Sequence, residues 1–245
     1  MVERADIVLS RLGLAKSRTH AASLIKSGLV SVNKAPINKP SQLIDEEAEI
    51  IVAEGGCPYV SRGGLKLAGA LTAFSIDVTD MTALDIGAST GGFTDCLLKA
   101  GAKKVYAVDV GVNQLDSSLK NDPRVLSFEK INARNLPENL FDDRIDIAVM
   151  DVSFISQTLI YPSVARILPP GGTLITLIKP QFELGKQALN RHGIVKNIEK
   201  AFPSLENKLK SAALANGLVH MGTIRSPIEG GDGNTEYLAL FKADK

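Results

Sequence analysis

The chain has 245 residues, of which 44% are hydrophobic and 22% charged, with a formal net charge of +1. That apolar content repays the entropy of ordering and excludes a largely disordered chain, while its longest apolar runs, such as Ile145–Met150 and Thr173–Ile178, fall far short of the ~18 residues a membrane-spanning helix needs. Two cysteines, Cys57 and Cys96, exclude a disulfide framework or a metal cage built from thiols alone. No apolar signal core occupies Met1–Asp6, so the expected location is cytoplasmic.

The balanced total conceals an asymmetry. Residues 1–40 hold seven bases (Arg4, Arg11, Lys16, Arg18, Lys26, Lys34, Lys39) against two acids, Glu3 and Asp6. Residues 41–54 hold five acids (Asp45, Glu46, Glu47, Glu49, Glu54) and no base. Such a split fits either a basic binding face on a small amino-terminal module or an ordinary solvated helix face. Within residues 3–30 the apolar positions Ile7, Leu9 and Leu12, then Ala21, Ala22, Leu24 and Ile25, follow helical spacing. Gly13 and Gly28 punctuate the ends, and Ser17 is placed to cap the second helix. Short strands are expected at Val30–Val32 and Ile50–Val52, with turn residues Asn33, Pro36 and Pro40 between them, and Gly55-Gly56-Cys57-Pro58 reads as a linker. These signals predict a small α+β unit over residues 1–55, a linker over 56–60 and a larger domain over 61–245.

The amino-terminal pattern resembles a small RNA-binding domain first named from a small-subunit ribosomal protein, here called S-four-type. The matching residues run through Val8–Leu14, Lys16-Ser17-Arg18, Ala21–Ile25 and Gly28–Asn33. The resemblance implies a helix pair that presents basic side chains to RNA phosphates, with Arg4, Arg11, Lys16, Arg18, Lys39 and Arg62 as the expected contacts. Contacts of that kind supply affinity and position rather than base identity.

From residue 82 strand and helix signals alternate. Strands are expected at Ala83–Ile86, Val105–Asp109, Val125–Phe128, Ile145–Met150 and Thr173–Ile178, and helices near 92–100, 113–120, 156–168 and 197–216. Two late strands, Val219–Ile224 and Glu236–Phe241, follow the last helix. Alternation of this kind predicts an α/β fold with a doubly wound, Rossmann-like sheet. The late pair of strands favours the class I methyltransferase variant of that sheet. Ligands of such sheets bind outside the carboxyl ends of the strands, near the switch in strand order.

The strongest motif is Leu84-Asp85-Ile86-Gly87-Ala88-Ser89-Thr90-Gly91-Gly92-Phe93-Thr94, where the first strand turns into the first helix. Glycines there let backbone approach a ligand, and the helix start offers unpaired N–H groups. Asp109 ends the second strand 22 residues beyond Gly87, close to the spacing at which an acid takes ribose hydroxyls. The loop lacks the G-x-G-x-x-G fingerprint of a dinucleotide site, and Asp85 suits the amino group of methionine better than a pyrophosphate. S-adenosylmethionine is therefore the expected cofactor.

The fourth strand ends in Met150-Asp151-Val152-Ser153-Phe154. Amine methyltransferases acting on adenine commonly place two prolines and an aromatic there, to receive the amine and stack the base; the prolines are absent here. Methylation at pyrimidine C5 needs a cysteine nucleophile, whereas Cys57 falls in the linker and Cys96 inside a helix beside Leu97 and Leu98. Charged residues at strand ends remain as candidates: Asp151, Lys179 after the fifth strand, Glu236 opening the last, and Lys66 just ahead of the sheet. An apolar strand, Leu174–Ile178, that delivers Lys179 to the carboxyl edge is an unusual use of lysine. The segment Phe182–Lys196 carries three bases and a histidine and reads equally as an RNA-gripping loop or an inert connection. Ser226–Asn234 reads as a long turn before Glu236. The three histidines show no metal-ligand spacing, and no metal is expected.

Taken over nearly its whole length the chain resembles the TlyA (hemolysin A) family, ribosomal RNA 2′-O-methyltransferases with an S-four-type domain and an FtsJ-like catalytic domain. The most specific matches are Tyr59–Leu67, Gly87–Thr94, Asp151–Ser156 and Lys179–Glu183. The resemblance implies a catalytic tetrad of Lys66, Asp151, Lys179 and Glu236. It implies a cofactor site of Asp85, Gly87, Ala88, Ser89, Thr90, Gly91, Gly92, Phe93, Asp109 and Asp151, with Asn132 and Ala133 near the adenine. Ribosomal RNA or a ribosomal subunit, cytidine being the modified nucleotide, is the implied partner, and neither a membrane nor a metal is. Where relatives carry an Arg-x-Trp-Val linker, this chain reads Cys57-Pro58-Tyr59-Val60. Rival readings are an RNA-binding assembly factor without turnover and a membrane-lytic protein.

Overall fold

The computed structural model describes residues 2–26, 28–33, 35–37, 39–52, 57–231 and 233–244. Lys34, Glu54, Asp232 and the first linker residues, Gly55 and Gly56, lie outside them. The chain divides into two compact units, Met1–Arg62 and Gly63–Lys245.

In the first unit a strand β1 (Val2–Arg4) leads into helices α1 (Ala5–Arg11) and α2 (Arg18–Lys26). Ser17 caps α2, its Oγ accepting from the His20 N–H at 3.1 Å. Gly13 and Gly28 close the two helices in the left-handed region, at φ +71° each, where glycine alone is unstrained. Then follow β2 (Val30–Val32), β3 (Ala35–Pro36), β4 (Leu43–Asp45) and β5 (Ile50–Val52). Strand β2 sits between β3 and β5, and β1 pairs antiparallel with β4 as a separate two-stranded ribbon. Val8, Leu9, Ala21, Ile25, Val30, Ile37 and Ile44 form the core of this unit. Strands β1 and β4, unforeseen in the sequence, are three residues long. That is too short for alternation to register, so their pairing partner defines them.

The second unit opens with a further unforeseen element, helix α3 (Gly63–Ala73). Its paired glycines mask it, yet Leu67, Ala70 and Leu71 bury one face at helical spacing. Next come β6 (Thr82–Ile86), α4 (Gly92–Lys99), β7 (Lys104–Val108), α5 (Ser117–Lys120), β8 (Val125–Phe128), β9 (Ile147–Met150), α6 (Tyr161–Ile167) and β10 (Thr173–Ile178). The chain ends through α7 (Pro180–Glu183), α8 (Ile198–Leu214), β11 (Leu218–Arg225) and β12 (Tyr237–Ala243). Among the described residues seven strands make one sheet, ordered β11-β12-β10-β9-β6-β7-β8. The five central and right-hand strands run parallel, and β12 runs antiparallel between β10 and β11. Strands β6, β9 and β10 are buried along their whole length, as a sheet covered on both faces requires.

Two expected helices are shorter than their patterns. The one near 113–120 begins only at Ser117, because Asp116 caps it by accepting from the Ser118 N–H, while Asn113 takes φ +54°. The one near 156–168 splits into a 3₁₀ turn at Gln157–Leu159 and then α6, where Pro162 stands in the first turn and cannot donate backward. Strand order reverses between β6 and β9, which makes their carboxyl ends the place for a ligand. No helix among the described residues is long and apolar enough to cross a membrane.

Candidate active site

The loop between β6 and α4 is strung across the sheet edge, with Gly87 and Ala88 N–H groups both donating to the Val108 carbonyl at 2.9 and 3.2 Å. Two of its glycines answer to the protein's own packing. At Gly87 (φ +82°) a Cβ would collide with the Asp151 carbonyl oxygen, and at Gly91 (φ +95°) with Leu115 and Leu119. Glycine at Gly87 therefore lets β6 and β9 close together at the switch point, a packing reason beside the expected approach of a ligand. Asp109 fastens the loop: its Oδ2 accepts from Ser89 N–H at 2.8 Å and its Oδ1 from Gly111 N–H at 2.7 Å. Ser89 is held at φ +49° by this bond. A hollow beside the loop is lined by Ala88, Ser89, Asp109, Gly111, Gln114 and Leu115. The Ile131 N–H donates to the Asp109 carbonyl, which brings Asn132 and Ala133 alongside, and Asn132 caps the following turn through Arg134 N–H.

Asp85 is sealed under the loop with no exposed surface. Thr94 Oγ1 donates to its Oδ2 at 2.7 Å, and Oδ1 has no partner. Burial, with the nearby charge of Asp151, pushes the carboxyl up to about 7 against the pull of the Thr94 hydroxyl.

The expected tetrad resolves into two ion pairs. Lys66, on the buried face of α3, reaches Glu236 Oε2 at 2.5 Å, with the side chains 9% and 3% exposed. Lys179 Nζ lies 2.6 Å from Asp151 Oδ1, off the hydrogen-bonding direction, and donates to Ser153 Oγ at 2.9 Å. Sheet register explains the placement. Ile178 is paired with Tyr237, so Lys179 and Glu236 are the next residues along adjacent strands, and Met150 is paired with both Ile86 and Thr176. The carboxyl edge thus gathers Asp151, Lys179 and Glu236, and α3 delivers Lys66 to the last of them. Glu183 braces the margin by accepting from Ser156 Oγ at 2.6 Å and Gln157 N–H at 2.8 Å.

Sequence reasoning set Phe154 aside with the missing prolines; the structure returns it. Phe154 is 89% exposed, takes φ +63°, and lies with its ring 4.7 Å from that of Phe182. A bulky residue in the left-handed region carries strain that surrounding structure must hold. The aromatic at the end of the Asp151–Phe154 run was the available signal.

In the amino-terminal unit the expected phosphate contacts divide. Arg4 and Arg18 both pair with buried Asp6, at 3.0 and 2.9 Å, and Arg11 bridges Glu3 and Glu46 at 2.6 and 2.7 Å. Arg4 above all, against the cost of burial and with help from Arg18, holds the Asp6 carboxyl down at about 2. These three guanidinium groups are spent on folding the unit as well as exposed on it. Lys16 and Lys39 stand exposed, and Arg62 is half-buried. Among the described residues no group of three His, Cys, Asp or Glu side chains is placed to hold a metal ion.

A doubly wound sheet with a glycine loop at the switch point and a lysine-carboxylate edge defines a methyltransferase domain. The family model of FtsJ-like methyltransferases matches residues 59–243, and that of the S4 domain matches residues 3–50. The chain belongs to the FtsJ-like methyltransferase family and carries an amino-terminal S4 domain. It is 43% identical to Hemolysin A of Brachyspira hyodysenteriae, over 97% of this chain and 99% of that one. It is 41% identical to the 16S/23S rRNA (cytidine-2′-O)-methyltransferase TlyA of Mycobacterium tuberculosis, over 98% of this chain and 89% of that one. A solved Streptococcus thermophilus structure that goes under a hemolysin name superposes with a TM-score of 0.78 at 42% identity, covering 100% of this chain and 89% of its own.

Proposed function

We propose that this protein transfers a methyl group from S-adenosylmethionine to the 2′-hydroxyl of a ribose in ribosomal RNA, a cytidine in one or both subunits, and that it does so in the cytoplasm. Residues 1–55 serve as the RNA-binding module and residues 61–245 carry the chemistry, joined by the linker at 56–60. The observation that carries the reading is the resolution of four charged residues into two ion pairs at the carboxyl ends of β9 and β10 and the adjoining amino end of β12, beside the loop that ends β6.

The residues fit the cofactor. A buried carboxyl with one unpartnered oxygen, Asp85, suits an ammonium group. Asp109 spends one lone pair of each oxygen on backbone and keeps others for ribose hydroxyls. Gly87–Phe93 would line the methionine end, and Asn132 and Ala133 the adenine. When bound, the sulfonium supplies a methyl group that is already activated.

The chain must then align an oxygen with that methyl group and remove a proton. Alignment is the larger contribution, since well-oriented reactants gain up to ~7–11 kcal/mol over free encounter. Lys179 serves as the general base that meets the hydroxyl and takes its proton, a role that needs its amine neutral. Asp151 and Ser153 fix its amine at 2.6 and 2.9 Å. The buried Lys66–Glu236 pair holds the neighbouring strand end. Phe154 offers an exposed aromatic face on which a base could stack, an arrangement worth ~1–3 kcal/mol in single-stranded RNA recognition.

The test is transfer of labelled methyl from S-adenosylmethionine to unmodified ribosomal subunits, with nuclease mapping of the label. A single phosphodiester made resistant to alkali is the expected result. Label in a base overturns ribose methylation. No label despite measured binding of cofactor and subunit favours the assembly-factor reading.

A further inference from the structure

Residues 184–198 form a segment with Lys186, Arg191 and Lys196 and no acidic residue. All three bases are exposed, and none joins an ion pair among the described residues. Its tip is ordered. Leu189 and Val195 form an antiparallel bridge, and the Asn190 N–H donates to Ile194 O at 2.8 Å. Asn190 Oδ1 accepts from the N–H groups of His192 and Ile194 at 2.8 and 3.1 Å. Arg191 Nε donates to His192 Nε2 at 2.9 Å, which steadies the guanidinium without neutralising it.

This tip is fastened to the loop that carries Glu236. Asn234, 2% exposed, spends its whole side-chain amide on the tip: Oδ1 accepts from Val195 N–H at 3.0 Å and Nδ2 donates to Gly193 O at 3.1 Å. Its own carbonyl accepts from Gly230 N–H at 2.9 Å. Gly230 in turn packs so closely on Glu236 that a Cβ would stand 2.6 Å from Oε1. A buried amide that satisfies one donor and one acceptor of a separate loop is a two-point lock that neither aspartate nor leucine reproduces. Two segments that look unrelated in the sequence are thereby made one body with a catalytic candidate.

We propose that Asn234 is a positioning residue that locks the basic hairpin 189–195 to the Glu236 loop, and that Arg191 on this hairpin grips a backbone phosphate of the substrate RNA. Phosphate contacts fix register; a contact rigidly tied to Glu236 sets the target ribose relative to the reacting edge. The proposal rests on the RNA 2′-O-methylation reading above.

The experiment is a double-substitution cycle in steady-state methyl transfer to unmodified subunits, using the full chain. Arg191→Ala is expected to raise KM for the subunit about tenfold, the loss of one charge-assisted contact, and to lower the salt slope of RNA binding by about one. Arg191→Lys recovers most of the loss. Asn234→Ala is expected to raise KM at least as much while S-adenosylmethionine affinity stays unchanged. The double variant is then no worse than Asn234→Ala alone, because both act through one contact. Should Asn234→Ala fail to fold, Asn234→Asp, which keeps the acceptor for Val195, carries the same cycle. Unchanged KM in either single variant, or effects that multiply in the double, overturns the lock. Absence of transfer by the wild-type chain overturns the methyltransferase reading itself and the lock with it.

Discussion

Two lysine-carboxylate pairs meet at one sheet edge, one of them completed by Lys66 from α3, and they differ in what surrounds them. Lys66 and Glu236 are withdrawn, at 9% and 3% exposure, whereas Lys179 and Asp151 remain open, at 13% and 22%. A withdrawn pair cannot easily exchange partners, and losing one member strands a charge in low dielectric. The more accessible pair, with Lys179 also bonded to Ser153, can be reached from solvent. On the reading proposed above, the first pair supports the strand end and the second carries the chemistry, although the sequence presents all four residues alike.

Lys179→Ala should separate the pairs most sharply. Transfer is expected to fall by about 10²–10⁴, the range for a lost proton-transfer group, while unfolding and cofactor affinity change little. A variant that turns over at the wild-type rate would remove Lys179 from the chemistry. Glu236→Ala comes next, with an expected loss of ~3–5 kcal/mol in urea unfolding because Lys66 is left buried and unpaired. Replacing both partners, Lys66→Met with Glu236→Leu, should restore most of that stability and, with the strand end held again, most of the transfer. If the single variant is as stable as the parent, the withdrawn pair is not scaffolding.

Asp85 gives a smaller, pH-dependent signal. Burial raises its carboxyl to about 7 from an ordinary 3.8, so the folded state holds the proton more tightly than the unfolded chain. Its contribution to stability is complete below about 3.8, declines as pH rises towards 7, and levels off above. Asp85→Asn should therefore gain melting temperature over the parent at pH 8 and lose that gain at pH 4. Equal pH slopes for the two proteins would show that Asp85 ionises freely. The smallest effect belongs to Asp6, whose carboxyl is held at about 2. Here the sign reverses: stability of the amino-terminal unit is present above 3.8 and is lost as pH falls through about 2. Amide exchange at Val8 and Leu9 during acid titration follows it, and Asp6→Asn should flatten that dependence.

Much of the fold was legible because burial leaves a periodic record. Strands β2, β5, β8 and β10 match their expected bounds, since β-branched runs between turn residues are unambiguous. Helix α3 was not legible: two glycines open it and a lysine lies on its buried face. What reverses that reading is Glu236, 170 residues away, which makes burial of Lys66 tolerable. The candidate site was legible as a set of residue types at strand ends. Its division into pairs was not, nor was the exposure of Phe154, which follows from a left-handed turn after Ser153.

The basic residues carry the same lesson. Composition placed positive charge at the amino terminus, but Arg4, Arg11 and Arg18 are bound to carboxylates there, while Arg191 on the hairpin is not. By itself, then, the sequence determined the alternation of strand and helix, the glycine loop, and the charged residues available at the sheet edge, because each depends on local pattern and spacing. Only the tertiary structure decided which charges neutralise one another, which aromatic is left in solvent and which loops are fastened together. Those outcomes are set by contacts between residues far apart in the chain, and no local pattern records them.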